Sequence, residues 1–153
     1  MDAGVTPRDA GFSLLELMVS VAVLAVLAVG AGLATGSAVS PAARDAERFR
    51  RAHDQNWALA ILGREQRGLA VTPETLALTR KGEDGWNTGA RLYDWSGQTQ
   101  FSASGPLPDP GSPDIVFRSD GTSTAFSLVF SGGRGAAWRC ASDGWSKLTC
   151  TAQ

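Results

Sequence analysis

Histidine occurs once in this sequence, as His53, and the charge balance is almost flat, with fourteen Lys/Arg against fifteen Asp/Glu. A lone histidine within a helix-patterned stretch leaves neither a Ser-His-Asp arrangement nor a two-histidine metal site to draw. It reads as a surface or helix-boundary residue. Beyond Gly36 thirteen basic residues face twelve acidic ones, since only Arg8, Asp2, Asp9 and Glu16 precede it. Such a balance gives no strong pull towards nucleic acid or anionic lipid. Glu83-Asp84 and Asp109-Pro110-Gly111 fit turn chemistry better than acid/base pairs. The reading is therefore of a protein that is not an enzyme, with no catalytic residue, no metal and no cofactor. The first eleven residues lack an apolar stretch, and their only basic side chain is Arg8. That excludes an ordinary secretory signal peptide.

What is present is a long apolar run behind a short motif, Gly11-Phe12-Ser13-Leu14-Leu15-Glu16-Leu17-Met18. From Leu14 to Leu33 twenty residues hold one charge, Glu16. As a helix they cover ~30 Å, about the hydrocarbon thickness of a bilayer. A carboxylate inside such a segment costs a few kcal/mol and calls for a partner, yet the run contains no Lys, Arg or His. Cleavage after Gly11 creates one: a cationic α-amine on Phe12, one helical turn before Glu16. The cut also places Glu16 in the first turn, where the helix dipole favours an anion.

The rest of the chain, residues 37–153, is long enough for one modest core. Ser40-Pro41 reads as an N-cap followed by proline at the first helical position. From there to about residue 67, Ala42, Ala46, Phe49, Ala52, Asn56, Trp57, Ala60 and Ile61 form one apolar stripe. Arg44, Asp45, Glu47, Arg48, Arg51, Asp54 and Gln55 make the opposite face, and Gly68 is a candidate stop. Seven or so short strands follow. Leu69–Thr72 and Leu76–Thr79 flank Pro73-Glu74 as a hairpin. Ala90–Trp95, Thr99–Ser102, Asp114–Arg118 and Ser123–Phe130 come next. A last pair, Ala136–Cys140 and Trp145–Thr149, closes over Ser142-Asp143-Gly144. The class is α+β, one long helix on an antiparallel sheet or small sandwich. Trp57 should be core, whereas Trp86 and Trp95, near loops, are candidate contact residues.

The motif Gly11–Met18 with its apolar run resembles the signal of type IV prepilins and type II secretion pseudopilins. The resemblance implies a leader of residues 1–11, a transmembrane and filament-core helix segment at 12–36, and a periplasmic pilin-like domain at 37–153. It makes Gly11 and Phe12 the prepilin peptidase cleavage site, Phe12 the N-methylated residue, and Glu16 the glutamate that sets subunit register. Arg44, Arg48, Arg50 and Arg51 follow the run, and a positive-inside count alone would put the domain in the cytoplasm. The family's leader is cytoplasmic, which implies a single-pass inner-membrane protein of a Gram-negative bacterium with a periplasmic head.

Within that family, Ala58–Gly63 leading into Gly68–Val71, Ile115–Gly121, the Phe126–Phe130 stretch and Asp143-Gly144 resemble the H-type (GspH/FimT) minor pseudopilins. The calcium-loop signature of the major pseudopilin is not found. The implied function is a minor subunit of the type II secretion pseudopilus, at or near its tip. Its implied partners are the other pseudopilins, the prepilin peptidase, the inner-membrane assembly platform, and the secreted cargo or secretin. The alternative is a minor type IV pilin acting in pilus assembly or DNA uptake. Arg134, Arg139 and Lys147, read as close neighbours beside Trp138, would then touch DNA, although three cations in a near-neutral domain make nucleic acid a poor partner. An oxidising compartment would favour a Cys140–Cys150 bridge. A turn at Ala141–Gly144 instead sets Cys140 against Trp145, which leaves two reduced thiols as the other reading.

Overall fold

The computed structural model describes residues 13–34, 39–105 and 109–153, the side chains of residues 29–34 excepted. Gly11, Phe12 and Gly36 lie outside the described residues. The chain divides into two units, Met1–Ala38 and Val39–Gln153.

The first unit contains α1, Leu14–Ala34. Its large apolar side chains from Leu14 to Leu27 are exposed, from 52% at Val23 to 76% at Leu14. Among the described residues no helix is long and apolar enough to cross a membrane. The transmembrane reading of 12–36 thus rests on the sequence.

The second unit opens with α2, Pro41–Gly63. Ser40 caps it, its hydroxyl accepting the Ala43 N–H at 3.2 Å, a bond typically worth ~1 kcal/mol. The helix ends earlier than residue 67. Arg64 turns left-handed at φ 50°, and its N–H bonds the carbonyls of Ala60 and Ile61. Gly68 is not the stop; it lies buried in the first strand, where a Cβ would overlap the Pro113 ring and meet Thr79 Oγ1 at 2.6 Å.

Eight strands follow: β1 (Arg67–Val71), β2 (Thr75–Gly82), β3 (Gly85–Asp94), β4 (Gln98–Ala103), β5 (Ile115–Phe117), β6 (Phe126–Ser131), β7 (Trp138–Ser142) and β8 (Thr149–Ala152). They form two four-stranded antiparallel sheets, ordered β3-β2-β1-β5 and β4-β6-β7-β8. The β1–β2 hairpin turns at Pro73-Glu74 as the sequence predicts. Strands β3 and β4, though consecutive, belong to different sheets, so the chain crosses over at Trp95-Ser96-Gly97. Helix α2 packs on β1 and β5 of one sheet and on β6, β7 and β8 of the other.

The core sits beneath α2. Phe49 meets Phe126 edge-on at 5.7 Å and Phe130 at 5.8 Å, and all three are fully buried. Burying each contributes roughly 1.5–3 kcal/mol. Strict alternation along β6 turns Phe126, Leu128 and Phe130 inwards, the period-two pattern of a half-buried strand.

Two polar residues break the expected helix stripe. Asp45 is 1% exposed and His53 4% exposed, where the sequence suggested a solvated face and a boundary position. Asp45 is buried because its Oδ2 accepts the N–H groups of Ser96 and Gly97 at 2.7 and 3.0 Å, which fixes the crossover. His53 is buried because Phe117, 5.0 Å away by ring centroid, and Phe126, 5.9 Å away, enclose its ring. Trp95 also departs from expectation. It is buried rather than a contact residue, packed on Phe130 at 5.2 Å with its Nε1 donating to the Thr72 carbonyl at 2.9 Å.

Candidate assembly site and interaction surfaces

Glu16 lies in the first turn of α1, and Ser20 Oγ donates to its carbonyl at 2.7 Å. Among the described residues the carboxylate has no ion pair. The neighbouring surface is apolar and exposed: Leu14, Leu15, Leu17 and Met18 are all more than half accessible. One acid on a bare apolar helix can be satisfied by a cation that another molecule brings.

Cys140 and Cys150 stand directly opposite in the β7–β8 ladder and are joined as a disulfide, with Cα atoms 4.0 Å apart. The sequence put the last strand at Trp145–Thr149, which set Cys140 against Trp145. Instead β7 runs on to Ser142 and the final strand starts only at Thr149. The displaced residues form a loop closed by Asp143. Its carboxylate accepts the N–H groups of Trp145 at 2.9 Å and Ser146 at 2.7 Å and the Ser146 hydroxyl at 2.9 Å. These bonds, the Ser146 N–H foremost, hold the Asp143 carboxyl below its ordinary pKa. The loop carries Trp145 into solvent at 80% exposure, the exposed tryptophan that pattern reading passed over. The only signal for it was the Asp143-Gly144 turn beside it.

Of the three cations read as close neighbours, Arg139 and Lys147 line one shallow pocket beside β6 and β7, and Arg134 lies apart. Arg134 sits in the loop before β7, where flanking Gly133 and Gly135 approach Pro41 and Ser40 at the start of α2. Lys147 lies in the loop after β7, lining a cavity with His53, Asp54 and Trp57 from the middle of α2. The five residues of β7 separate the two by ~17 Å at strand spacing. Arg139 projects from β7 itself and donates to Ser127 Oγ at 2.8 Å. A phosphate-tracking patch needs several neighbouring cations, and here only Arg139 and Lys147 share a pocket, with the acid Asp143 in the same lining.

His53 borders that cavity of about 380 Å³ between α2 and the loops at Gly121 and Gly144. Its Nδ1 lies 3.2 Å from Asp54 Oδ1, while Nε2 has no partner among the described residues. Burial lowers its pKa, with Asp54 opposing the shift. Trp57 Nε1 closes one wall by donating to the Gly121 carbonyl at 2.8 Å. Burial also raises the pKa of the Tyr93 hydroxyl, which stays neutral. Among the described residues no group of three His, Cys, Asp or Glu side chains could hold a metal.

The prokaryotic N-terminal methylation motif matches residues 6–32. No curated protein matches the chain in sequence. Among solved structures, the minor pseudopilin EpsH from the type II secretion system of Vibrio cholerae superposes with a TM-score of 0.61 at 21% identity, over 74% of this chain and 98% of that one. Escherichia coli GspH superposes with a TM-score of 0.56 at 22% identity, over 77% and 94%. The chain carries a prepilin-type methylation motif and, after it, a head folded as those of the minor pseudopilins EpsH and GspH are.

Proposed function

We propose that this chain is a minor pseudopilin, an assembly subunit and not an enzyme, which enters the pseudopilus of a type II secretion system through its N-terminal helix. The observation that carries the reading is α1: apolar, exposed along its described length, and marked by one acid near its start. In this reading residues 12–36 cross the inner membrane of a Gram-negative cell with the head in the periplasm. The sequence, with twenty residues from Leu14 to Leu33 and one charge, supports the span. Prepilin peptidase cuts between Gly11 and Phe12 and methylates Phe12. Glu16 then sets register, because a buried charge stays penalised until it meets the Phe12 amine of a neighbouring subunit. The assembly platform and the other pseudopilins are the partners that this mechanism requires.

The test is Glu16→Ala in place of the native chain. Membrane insertion should persist, while incorporation into the filament falls by about tenfold or more, the effect of losing ~1.4 kcal/mol at one contact. Secretion and incorporation at native levels would remove the register mechanism. Mass spectrometry of the mature chain should find a methylated Phe12 at its start.

A further inference from the structure

A groove of about 490 Å³ runs between α2 and the β2–β3 hairpin. Four arginines from three elements line it: Arg48 and Arg51 from α2, Arg67 from β1, and Arg80 from β2. Arg67 and Arg80 are direct partners in the β1–β2 ladder, a pairing of like charges that destabilises a sheet. Arg67 is only 5% exposed; its Nε donates to Asn56 Oδ1 at 3.1 Å and it pairs with Glu65. Arg51 pairs with Glu47. Among the described residues Arg48 and Arg80 form no ion pair.

The groove adds an aromatic wall and an apolar floor. The Arg48 guanidinium lies 6.0 Å from the centre of the Tyr93 ring. The Tyr93 hydroxyl is buried with no hydrogen-bond partner among the described residues. Leu59, Leu78 and Leu92 lie between the cations. Surplus positive charge and apolar contact area together suit a short polypeptide that carries both carboxylates and apolar side chains.

We infer that this groove docks an acidic segment of a partner protein, its carboxylates meeting Arg48 and Arg80. A nucleic-acid backbone fits less well, since it offers nothing apolar for the leucines and binds through long tracks of phosphate contacts. A second copy of this chain could offer the exposed Glu83-Asp84 turn. Such head-to-tail pairing would build a ring or an open filament of this chain alone, and a crosslink separates that outcome from a different partner. The role holds whether or not α1 enters a filament.

The test places the photo-crosslinker benzoylphenylalanine at Leu92 of the full chain in its native cells and maps the adduct by mass spectrometry. The expected adduct lies in a stretch of a different protein with a clear excess of Asp and Glu. Arg48→Glu with Arg80→Glu should reduce its yield about tenfold, a loss of ~1.4 kcal/mol. Lysines replacing the mapped acids should restore it. Arg48→Gln with Arg80→Gln serves as a second variant that keeps side-chain length, and thermal unfolding checks that both variants fold. An adduct on a second copy, on nucleic acid or on a stretch without acidic excess overturns the inference. So does no adduct, or a yield indifferent to the arginine changes. Filament incorporation, scored separately, distinguishes failure of the groove from failure of the assembly mechanism.

Discussion

The carboxylate of Asp45 holds the backbone N–H of Ser96 at 2.7 Å across 51 residues of sequence, with the Gly97 N–H beside it at 3.0 Å. This pair of bonds ties α2 to the crossover between the two sheets. Asp45→Ala leaves two backbone donors without their acceptor. The expected loss is roughly 2–4 kcal/mol, since bonds to an ionised acceptor are worth about 1.5–3 kcal/mol each and are not additive. Asp45→Asn keeps one acceptor oxygen and should lose less. Urea midpoints of the three proteins check the order.

His53 gives stability a pH dependence with a definite sign. Its folded-state pKa lies below the ordinary 6.5 because burial disfavours the charged ring. Above 6.5 the imidazole is neutral in both states and the fold keeps its full stability. As pH falls through 6.5 the unfolded chain takes up a proton that the folded chain refuses. Stability then declines, by at most about 1.4 kcal/mol per pH unit from this group, until the lowered folded value is reached. His53→Phe should flatten that decline below about pH 6.5 relative to the native chain. An equal slope in both proteins would assign the acid sensitivity elsewhere.

The Cys140–Cys150 link closes a loop of sequence separation 10. Confining the unfolded chain this way contributes roughly 3 kcal/mol in the entropy model. Cys140→Ala with Cys150→Ala should cost about that much and lower the thermal midpoint by about 10 °C, a shift scanning calorimetry reads directly. Reducing agent should move the native chain towards the variant and leave the variant unmoved.

Gly144 has φ +88°, and a Cβ there would sit 2.5 Å from the Ser123 carbonyl oxygen. That oxygen belongs to the residue whose own N–H bonds the Gly144 carbonyl at 2.8 Å. Gly144→Ala should therefore loosen the loop that presents Trp145, at a cost of about 1–3 kcal/mol. Hydrogen exchange at Trp145 and Ser146 should quicken while β6 amides stay protected.

Local pattern made some of these features legible and hid others for definite reasons. Ser40-Pro41 and the stripe through Phe49 announce α2, because capping and helical periodicity act within a few residues. Pro73-Glu74 announces the β1–β2 hairpin for the same reason. Asp45 shows no sign of burial in the sequence, since the N–H groups that donate to it arrive from the crossover at Ser96-Gly97. The strand partner of Cys140 was misplaced because Trp145–Thr149 looks as strand-like as Thr149–Ala152. Only the Asp143-bonded loop decides between them. The Gly11-Phe12-Ser13-Leu14-Leu15-Glu16 motif is legible for another reason: it is one contiguous string, and residues 6–32 match the N-terminal methylation motif without reference to any tertiary contact.

Strand β8 is the outer edge of its sheet, and Cys150 is its second residue. An edge strand under tension normally peels away one rung at a time, starting from its free end. Here the rivet between Cys140 and Cys150 stops that unzipping once Ala152 and Thr151 have left the ladder. Tension applied beyond Cys150 would thus pass through the link into β7 and leave the earlier rungs of the ladder seated.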